Sequence, residues 1–539
     1  MNLNIAPFTK YLNNIYFVSI FTFLSIIYFF AGIFVGLDFT DTFYHLNQAL
    51  HPAEGIYLNS SFLSSFIIKT FVEIFGPKII YLRFINSLLL FFSLLIPFVF
   101  VRIEKPRLEV FFYIACVLFL FAPFNVNILG YDSLSIFILS LIFSLSILYL
   151  KSSKLYLLML LSILCSAAVL IRLPNLLVIP IVFLAIGFNE KIRKGYFSAK
   201  DLKLPVIFLF LTLLWVYLGF FMYYSGVEEF FRASANSTSH DLKILFYHYF
   251  KHGIKLILFI SLIIGGHYFF KKLQYLIPRL LIYGILGLFY ILFIGFFVIL
   301  SKYWQNYSLF LTSLMISIMI LQIVQNRKDL LSLKHMVLYL YFLFLFINPF
   351  GSNTGLLKAV SLFLLLPFVL SIYDLKLKQY WLLILIVLLP FSLIEKFYSS
   401  YEDRGILSLN RTLELKLLKP IKTTETRADF LEKIDVEVNE LKKNNVQVYF
   451  YGDKSHIFHY LYPATNMNIN SFFQPVDELA YYPKIKQVVN GKHRTAVFIV
   501  DSYPGDRSKD VSSVESSLIR DGFKRVNMEP IIYYLRIKE

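Results

Sequence analysis

The stretch YFVSIFTFLSIIYFFAGIFVGL, Tyr16 to Leu37, runs straight into Asp38-Phe39-Thr40-Asp41-Thr42-Phe43-Tyr44-His45, and this junction decides how the chain is read. No residue from Tyr16 to Leu37 is charged. A helix needs about 20 apolar residues to cross a bilayer, so the run is long enough to span. No acidic residue precedes Asp38. Two carboxylates three residues apart, where a span meets water, can bind a cation, pair with a base or take a proton from a substrate.

Working outward, the same apolar character recurs. The 539-residue chain is 58% hydrophobic with a mean hydropathy of +0.67. Apolar runs of about 17–22 residues fill most of the chain before residue 399. The expected fold is a polytopic α-helical membrane protein with about 13 transmembrane helices. They are placed at approximately 16–37, 80–101, 109–128, 132–150, 154–171, 173–188, 204–224, 254–270, 280–300, 304–324, 334–349, 356–373 and 379–397. The first run lacks a small-residue cleavage site and is expected to stay as an anchor.

The net charge of +17 would suggest nucleic acid in a soluble protein. In a membrane protein it reads as cytoplasmic loops rich in Lys and Arg, with attraction to anionic lipid, and no nucleic-acid partner is expected. Loops carrying Lys10, Arg102, Lys105, Arg107, Lys151, Lys154, Arg193, Lys194, Lys271 and Arg327 alternate with loops poorer in charge. The basic set is assigned to the cytoplasm. The N-terminus is then inside, and the first loop, 38–80, lies outside. An odd number of spans puts the tail outside as well. Cys116 and Cys165 fall within apolar runs, where neither a disulfide nor a metal site is expected.

The tail, 399–539, has frequent charges and no long apolar run. Val446–Tyr451 alternates as a strand should and ends in Gly452-Asp453. Ser455–Tyr462 reads as a helix, Ala496–Val500 as a buried strand and Val511–Asp521 as a helix. Phe523–Asn527 and Ile531–Ile537 read as closing strands. Alternating helices and strands predict a small soluble α/β domain following a transmembrane domain of residues 1–398.

Several outer segments carry chemistry. In the first loop, Thr42–Leu50 and Phe62–Phe75 have amphipathic helical spacing, so the loop is expected to be a structured cap along the membrane interface. Asp41 could instead serve as a plain helix cap. Tyr131-Asp132-Ser133 opens the fourth span and offers a third carboxylate at the same face. A divalent cation, if one binds, would be held by Asp38, Asp41 and Asp132. Arg172, in Arg172-Leu173-Pro174-Asn175, is a cation between two apolar runs with almost no loop, a costly position that asks for a partner or a cavity. Lys69, Lys78, Arg83, Arg232, Lys302 and Lys358 add outer positive charge against the positive-inside trend. A lipid-linked phosphate would explain it, and snorkelling is the bland alternative. Asn348–Gly355, with Asn353 at its centre, could be an anion-binding nest or an ordinary turn. His45, His51, His240, His248 and His252 face outward in this topology, without tight metal-ligand spacing.

This arrangement resembles the GT-C superfamily of membrane glycosyltransferases, in particular the bacterial family 39 and 83 types. The resemblance rests on Asp38-Phe39-Thr40-Asp41, on Phe75-Gly76 leading to Arg83-Phe84-Ile85-Asn86, and on Tyr131-Asp132-Ser133. It also rests on Arg172-Leu173-Pro174-Asn175, and on the tail with Tyr451-Gly452-Asp453. A WWD motif is absent, which speaks against transfer of a whole oligosaccharide to Asn. The resemblance implies a polyprenyl-phosphate-linked sugar donor, an acceptor that is a glycan, a lipid or a protein, and membrane lipid as surroundings. It implies that Asp41 is the catalytic base with Asp38 beside it. Arg83 and Arg172 would contact the phosphate, with Lys302 weaker, and Asp132, Tyr131, Asn353 and His45 would line the substrate site. The competing readings are a transporter or flippase of lipid-linked saccharides and a polysaccharide polymerase or ligase.

Overall fold

In the computed structural model, the described residues are 14–50, 61–101, 108–121, 128–194, 202–224, 242–273, 303–325, 332–352, 354–372, 389, 392, 399–400, 403–452, 454–463, 486, 494–500, 502–504, 512–528 and 531–537. The membrane-type region begins with α1 (Ile15–Ala31), α2 (Asp41–Leu50), α3 (Phe62–Phe75), α4 (Ile79–Phe100) and α5 (Leu108–Leu120). It continues with α6 (Tyr131–Ser152), α7 (Leu155–Ile171), α8 (Val178–Lys194) and α9 (Lys203–Tyr224). Then follow α10 (Leu242–Leu273), α11 (Tyr303–Gln325), α12 (Leu333–Phe344) and α13 (Leu366–Ile372).

Among the described residues, seven helices are long and apolar enough to cross a membrane. Four shorter apolar helices lie at expected spans, over Val110–Leu120, Leu155–Ile171, Leu173–Asn189 and Leu333–Phe344. The expected span at 280–300, and nearly all of 379–397, lie outside the described residues. The chain is therefore a helical membrane-type protein with a small sheet region near its C-terminus.

The bundle is ordered by which helices can be approached closely. α6 is the buried centre, and Ser133, Ser135, Ser140, Ser144 and Ser146 are all enclosed. Small residues let neighbouring backbones come near, as membrane helix packing requires. The Ser144 hydroxyl turns back to the Ser140 carbonyl at 2.6 Å, and Asn175 Nδ2 donates to Ser135 Oγ at 2.9 Å. At the other extreme, α1 exposes Ile20, Phe23, Leu24 and Ile27. A row of that kind suits a helix that faces lipid.

The predicted span 356–373 begins differently from expectation. Residues Gly355–Leu365 wind as a 3-10 helix before α13 takes over. In a 3-10 helix, residues three apart eclipse one another. Lys358 therefore stacks over Ser361, whose hydroxyl donates back to the Lys358 carbonyl at 2.7 Å. Ser361 receives Asn348 Nδ2 at 2.6 Å.

The tail closes as expected. Its four-stranded sheet has the order β5 (Gln447–Tyr451), β6 (Arg494–Ile499), β8 (Ile531–Ile537), β7 (Lys524–Met528). β5 and β6 are parallel, and β8 runs antiparallel to both β6 and β7. Two-residue strands β1 (Ser399–Ser400), β2 (Asp403–Arg404), β3 (Arg411–Thr412) and β4 (Lys422–Thr423) pair ahead of it. α15 (His456–Leu461) and α16 (Ser512–Arg520) occupy the predicted helical segments.

One further helix, α14 (Glu425–Lys443), is not among the expected elements. Its signals are present in the sequence. Thr424 caps it, accepting from the Arg427 amide, and Lys442 and Lys443 close its last turn. Phe430, Leu431, Ile434, Val438 and Leu441 form its buried stripe, at the spacing of an amphipathic helix.

The first loop forms both expected helices, but α2 is not an interfacial helix with a wet side. From Thr42 to Ala49 every residue except His45 is buried. The reason is that the tail lies on it. Phe39 packs on Phe430, Phe458 and Tyr503, and Phe43 packs on Tyr460. Asn47 Nδ2 donates to the His456 carbonyl at 2.9 Å, and the Tyr460 hydroxyl bonds the Pro77 carbonyl. The first loop and the tail thus share one end of the bundle.

Candidate functional site

At that end lie two polar clusters, the first of them in contact with the tail. The first begins where α1 hands over to the extended segment 35–38. Arg83, one turn into α4 and 3% exposed, points its guanidinium at backbone carbonyls just beyond the end of α1. Nη1 donates to Ile33 O at 3.2 Å and Val35 O at 3.3 Å, and Nη2 donates to Gly36 O at 2.7 Å. Helix ends leave such carbonyls without intrahelical partners, and a planar fork suits several at once. Arg83 is thereby occupied with backbone.

Asp38 is also buried and committed. Its Oδ1 accepts from the Thr40 amide at 2.9 Å, the Thr40 hydroxyl at 2.7 Å and the Tyr503 hydroxyl at 3.0 Å. Its Oδ2 accepts from the Thr42 amide at 2.7 Å. This is the side-chain-to-backbone turn that Asp forms readily before a helix. It starts α2 and leaves Asp38 little room for a substrate contact. Of the two acids, the capping role belongs to Asp38, where the sequence had suggested Asp41 for it. Asp41 is the first residue of α2. Its side chain, Lys302 and Asn353 lie outside the described residues.

The second cluster centres on Tyr131. Lys358 Nζ lies 3.0 Å from both carboxylate oxygens of Asp132, with the two side chains 8% and 19% exposed. Lys358 Nζ is 5.3 Å from the Tyr131 ring centroid, and Arg172 Cζ is 5.7 Å from it. Cations at that range are attracted to a ring face. The His45 ring meets the Tyr131 ring edge-on, at 4.8 Å between centroids. Positions 41 and 45 share one face of α2, so the face that opens with Asp41 is the one that reaches Tyr131. Of the sequence-predicted residues, Asp132, Tyr131, Arg172 and His45 are therefore brought together. Arg83 and Asp38 belong to the neighbouring cluster.

Arg172 is held in place by the loop beyond α12. Nη1 donates to Asn348 O at 2.8 Å and Nη2 to Phe350 O at 3.2 Å. Among the described residues, no carboxylate lies within ion-pair distance of it. A guanidinium has five N–H donors, and bonds to described residues engage two of its nitrogens, Nη1 and Nη2. Within the described part of the loop, four amides turn inward rather than toward an anion. The amides of Phe350, Ser352 and Gly355 bond back to Ile347, Pro349 and Ser352, and the Thr354 amide bonds Ser352 Oγ. Those donors are spent inside the turn, which presents carbonyls to Arg172 instead.

Two histidines lie between α2 and the tail, the part-buried His45 and the buried His456. Burial pushes His45 down to about 4; Asp132, Gln48 and Asp38 oppose the shift and Lys358 adds to it. Burial also lowers His456, helped by His459, His45 and Lys454. Both are neutral imidazoles at neutral pH. The Tyr44 ring stands edge-on between them, 5.4 Å from each. The His248 and His252 rings lie tilted to one another, 5.8 Å apart, on α10. Among the described residues, no three His, Cys, Asp or Glu side chains are grouped to hold a metal ion.

Three tail residues were not legible as site residues: Asp403, Arg427 and Tyr503. Each lies in a charged, ordinary-looking segment, and only contact with the first loop distinguishes it. Lys358 carried a signal, a lone Lys entering an apolar span, but its pairing with Asp132 did not. The chain matches no protein-family model and no curated protein.

Proposed function

We propose that the chain is an inverting glycosyltransferase of the membrane. It moves a sugar from a polyprenyl-phosphate carrier to an acceptor hydroxyl on the outer face of the cytoplasmic membrane. The observation that carries this reading is the meeting of the first-loop helix α2 with Tyr131, Asp132, Lys358 and Arg172 at one end of an apolar bundle. A lipid carrier reaches such a site from the bilayer, and the acceptor reaches it from water.

The chemistry divides among these residues. Asp41 takes the proton of the acceptor hydroxyl as its oxygen attacks the anomeric carbon. The C–O bond to the carrier phosphate breaks with inversion, and charge builds on the leaving phosphate. Arg172 and Lys358 offset that charge, and Tyr131 offers its ring to the sugar. Asp132 holds Lys358 in place between turnovers. General-base help is worth about 10²–10⁴-fold. Asp38 and Arg83 act on the loop rather than on the substrate, because the Asp38 carboxylate and both terminal nitrogens of the Arg83 guanidinium are already engaged with protein. A divalent cation would have to draw on Asp41 and Asp132.

The test is release of free polyprenyl phosphate by the protein in lipid nanodiscs, across a panel of polyprenyl-phosphate sugars, with and without EDTA. Release from one donor together with a glycosylated product supports the reading. Movement of intact lipid-linked saccharide across the bilayer without release would make the chain a transporter. Growth of a polymer on the carrier would make it a polymerase.

A further inference from the structure

The segment that joins α1 to α2 is gripped through its backbone. The Gly36 amide donates to Lys422 O at 2.9 Å, and the Gly36 carbonyl accepts from Arg83 Nη2. The Leu37 amide donates to Asp403 Oδ2 at 2.8 Å, and the Leu37 carbonyl accepts from Arg427 Nη1 at 2.8 Å. The Phe39 amide donates to the Tyr503 hydroxyl at 3.3 Å, and that hydroxyl donates to Asp38 Oδ1. Of these partners, all but Arg83 belong to the tail.

The tail groups are themselves locked together. Arg427 Nη1 lies 3.3 Å from Asp403 Oδ1, with side chains 8% and 0% exposed. Asp403 Oδ2 also receives the Thr423 hydroxyl at 2.8 Å. The Arg427 guanidinium stacks on the Tyr503 ring, 3.6 Å from its centroid. Lys454 Nζ approaches the same ring at 4.4 Å. Backbone amides and carbonyls buried away from water need partners, and here residues more than 360 positions away along the chain supply them. A tail that merely covered the bundle, or bound an acceptor at its far side, would not need a buried ion pair aimed at Leu37.

We infer that the tail is a working part of the site: Asp403, Arg427 and Tyr503 are positioning residues for the first-loop acids. Tyr503 sets the Asp38 carboxylate, Asp38 sets the first turn of α2, and that turn sets where Asp41 stands. This rests on the glycosyltransferase reading above, since the readout of positioning is turnover. Near-attack geometry is sensitive to displacements of about 1 Å, so a small loosening of residues 36–42 reaches the rate before it reaches substrate binding.

The test is Tyr503→Phe in the full-length protein in nanodiscs, which removes one oxygen and keeps the ring under Arg427. Tyr533→Phe is the control, because its hydroxyl bonds Glu437 within the tail at 2.6 Å. Two readouts are taken: amide hydrogen exchange over residues 36–42, and kcat and KM for release of polyprenyl phosphate. The expected result for Tyr503→Phe is faster exchange in that segment, kcat about tenfold lower and donor KM within about twofold of wild type. The control changes neither. Unchanged exchange in Tyr503→Phe overturns the inference, whatever the activity. Faster exchange with unchanged kcat overturns the positioning role. A wild type that releases no polyprenyl phosphate from any donor removes the enzyme reading itself, and positioning for catalysis falls with it.

Discussion

Replacing Lys358 by Met strips Asp132 of a partner that contacts both its oxygens at 3.0 Å. Two unit charges at that range attract by about 5 kcal/mol at an effective dielectric of about 20. Most of this is returned as desolvation, so the net worth of the pair is much smaller. Breaking a buried pair costs about 3–5 kcal/mol, because the remaining charge stays unpaired. Fully exposed pairs contribute about 0–1 kcal/mol. Lys358 is nearly sealed, while Asp132 keeps 19% of its side chain open. Lys358→Met is therefore expected to cost about 2–3 kcal/mol. Asp132→Asn should cost a similar amount, and the double variant should recover most of the loss. The assay is a double-mutant cycle on unfolding free energies in mixed micelles, with a coupling of about 3 kcal/mol or more expected. The same variants are assayed for turnover, and the double variant should regain stability without regaining activity. A coupling below about 0.5 kcal/mol would refute the reasoning, because it would mean that water solvates the pair as at a surface.

Other consequences are as direct. Arg83→Met leaves the carbonyls of Ile33, Val35 and Gly36 without their donor, and is expected to cost on the order of 3 kcal/mol. Arg83→Lys should recover less than half of it in the same unfolding titration, since an ammonium cannot span the three. Gly351 has φ +67°, and a Cβ there would meet Pro174 Cγ at 2.7 Å. Gly351→Ala should cost about 2 kcal/mol and weaken donor binding, because the ring cannot move aside and the turn that holds Arg172 must open. His45 titrates near 4 in the folded protein against 6.5 when unfolded. The unfolded chain binds more protons between these values, so stability is full above pH 6.5 and falls as pH drops towards 4. A shift of that size is worth about 3 kcal/mol, and the partly open ring reduces it to on the order of 2. Thermal melts from pH 7 to 4 should show the decline, and His45→Phe should make it shallower, the part contributed by other buried histidines such as His456 remaining.

The helical membrane character, the two first-loop helices and the tail's alternation of strands and helices were legible because each is a matter of local period. Apolar runs, amphipathic spacing in Phe62–Phe75 and the β5 alternation need no knowledge of distant contacts. The candidate site was legible in part for a similar reason. Lone charges at span ends, such as Asp38, Asp132 and Arg172, stand out against apolar sequence. What escaped depends on pairing across the chain. Asp403 and Arg427 sit among many charges, and nothing local marks them as the pair that holds Leu37. Asp38 and Asp41 look equivalent in sequence, and only the donors around Asp38 assign it to the turn. The burial of α2 is likewise a consequence of the tail, since its own spacing fits an interfacial helix equally well.

The measurement that bears most directly on the central claim is turnover of a polyprenyl-phosphate sugar by Asp41→Asn, with donor binding followed in parallel. The account predicts a fall of about 10²–10⁴-fold in release of polyprenyl phosphate, with donor affinity kept. Near-normal release by Asp41→Asn would contradict it, and the base would have to be sought elsewhere.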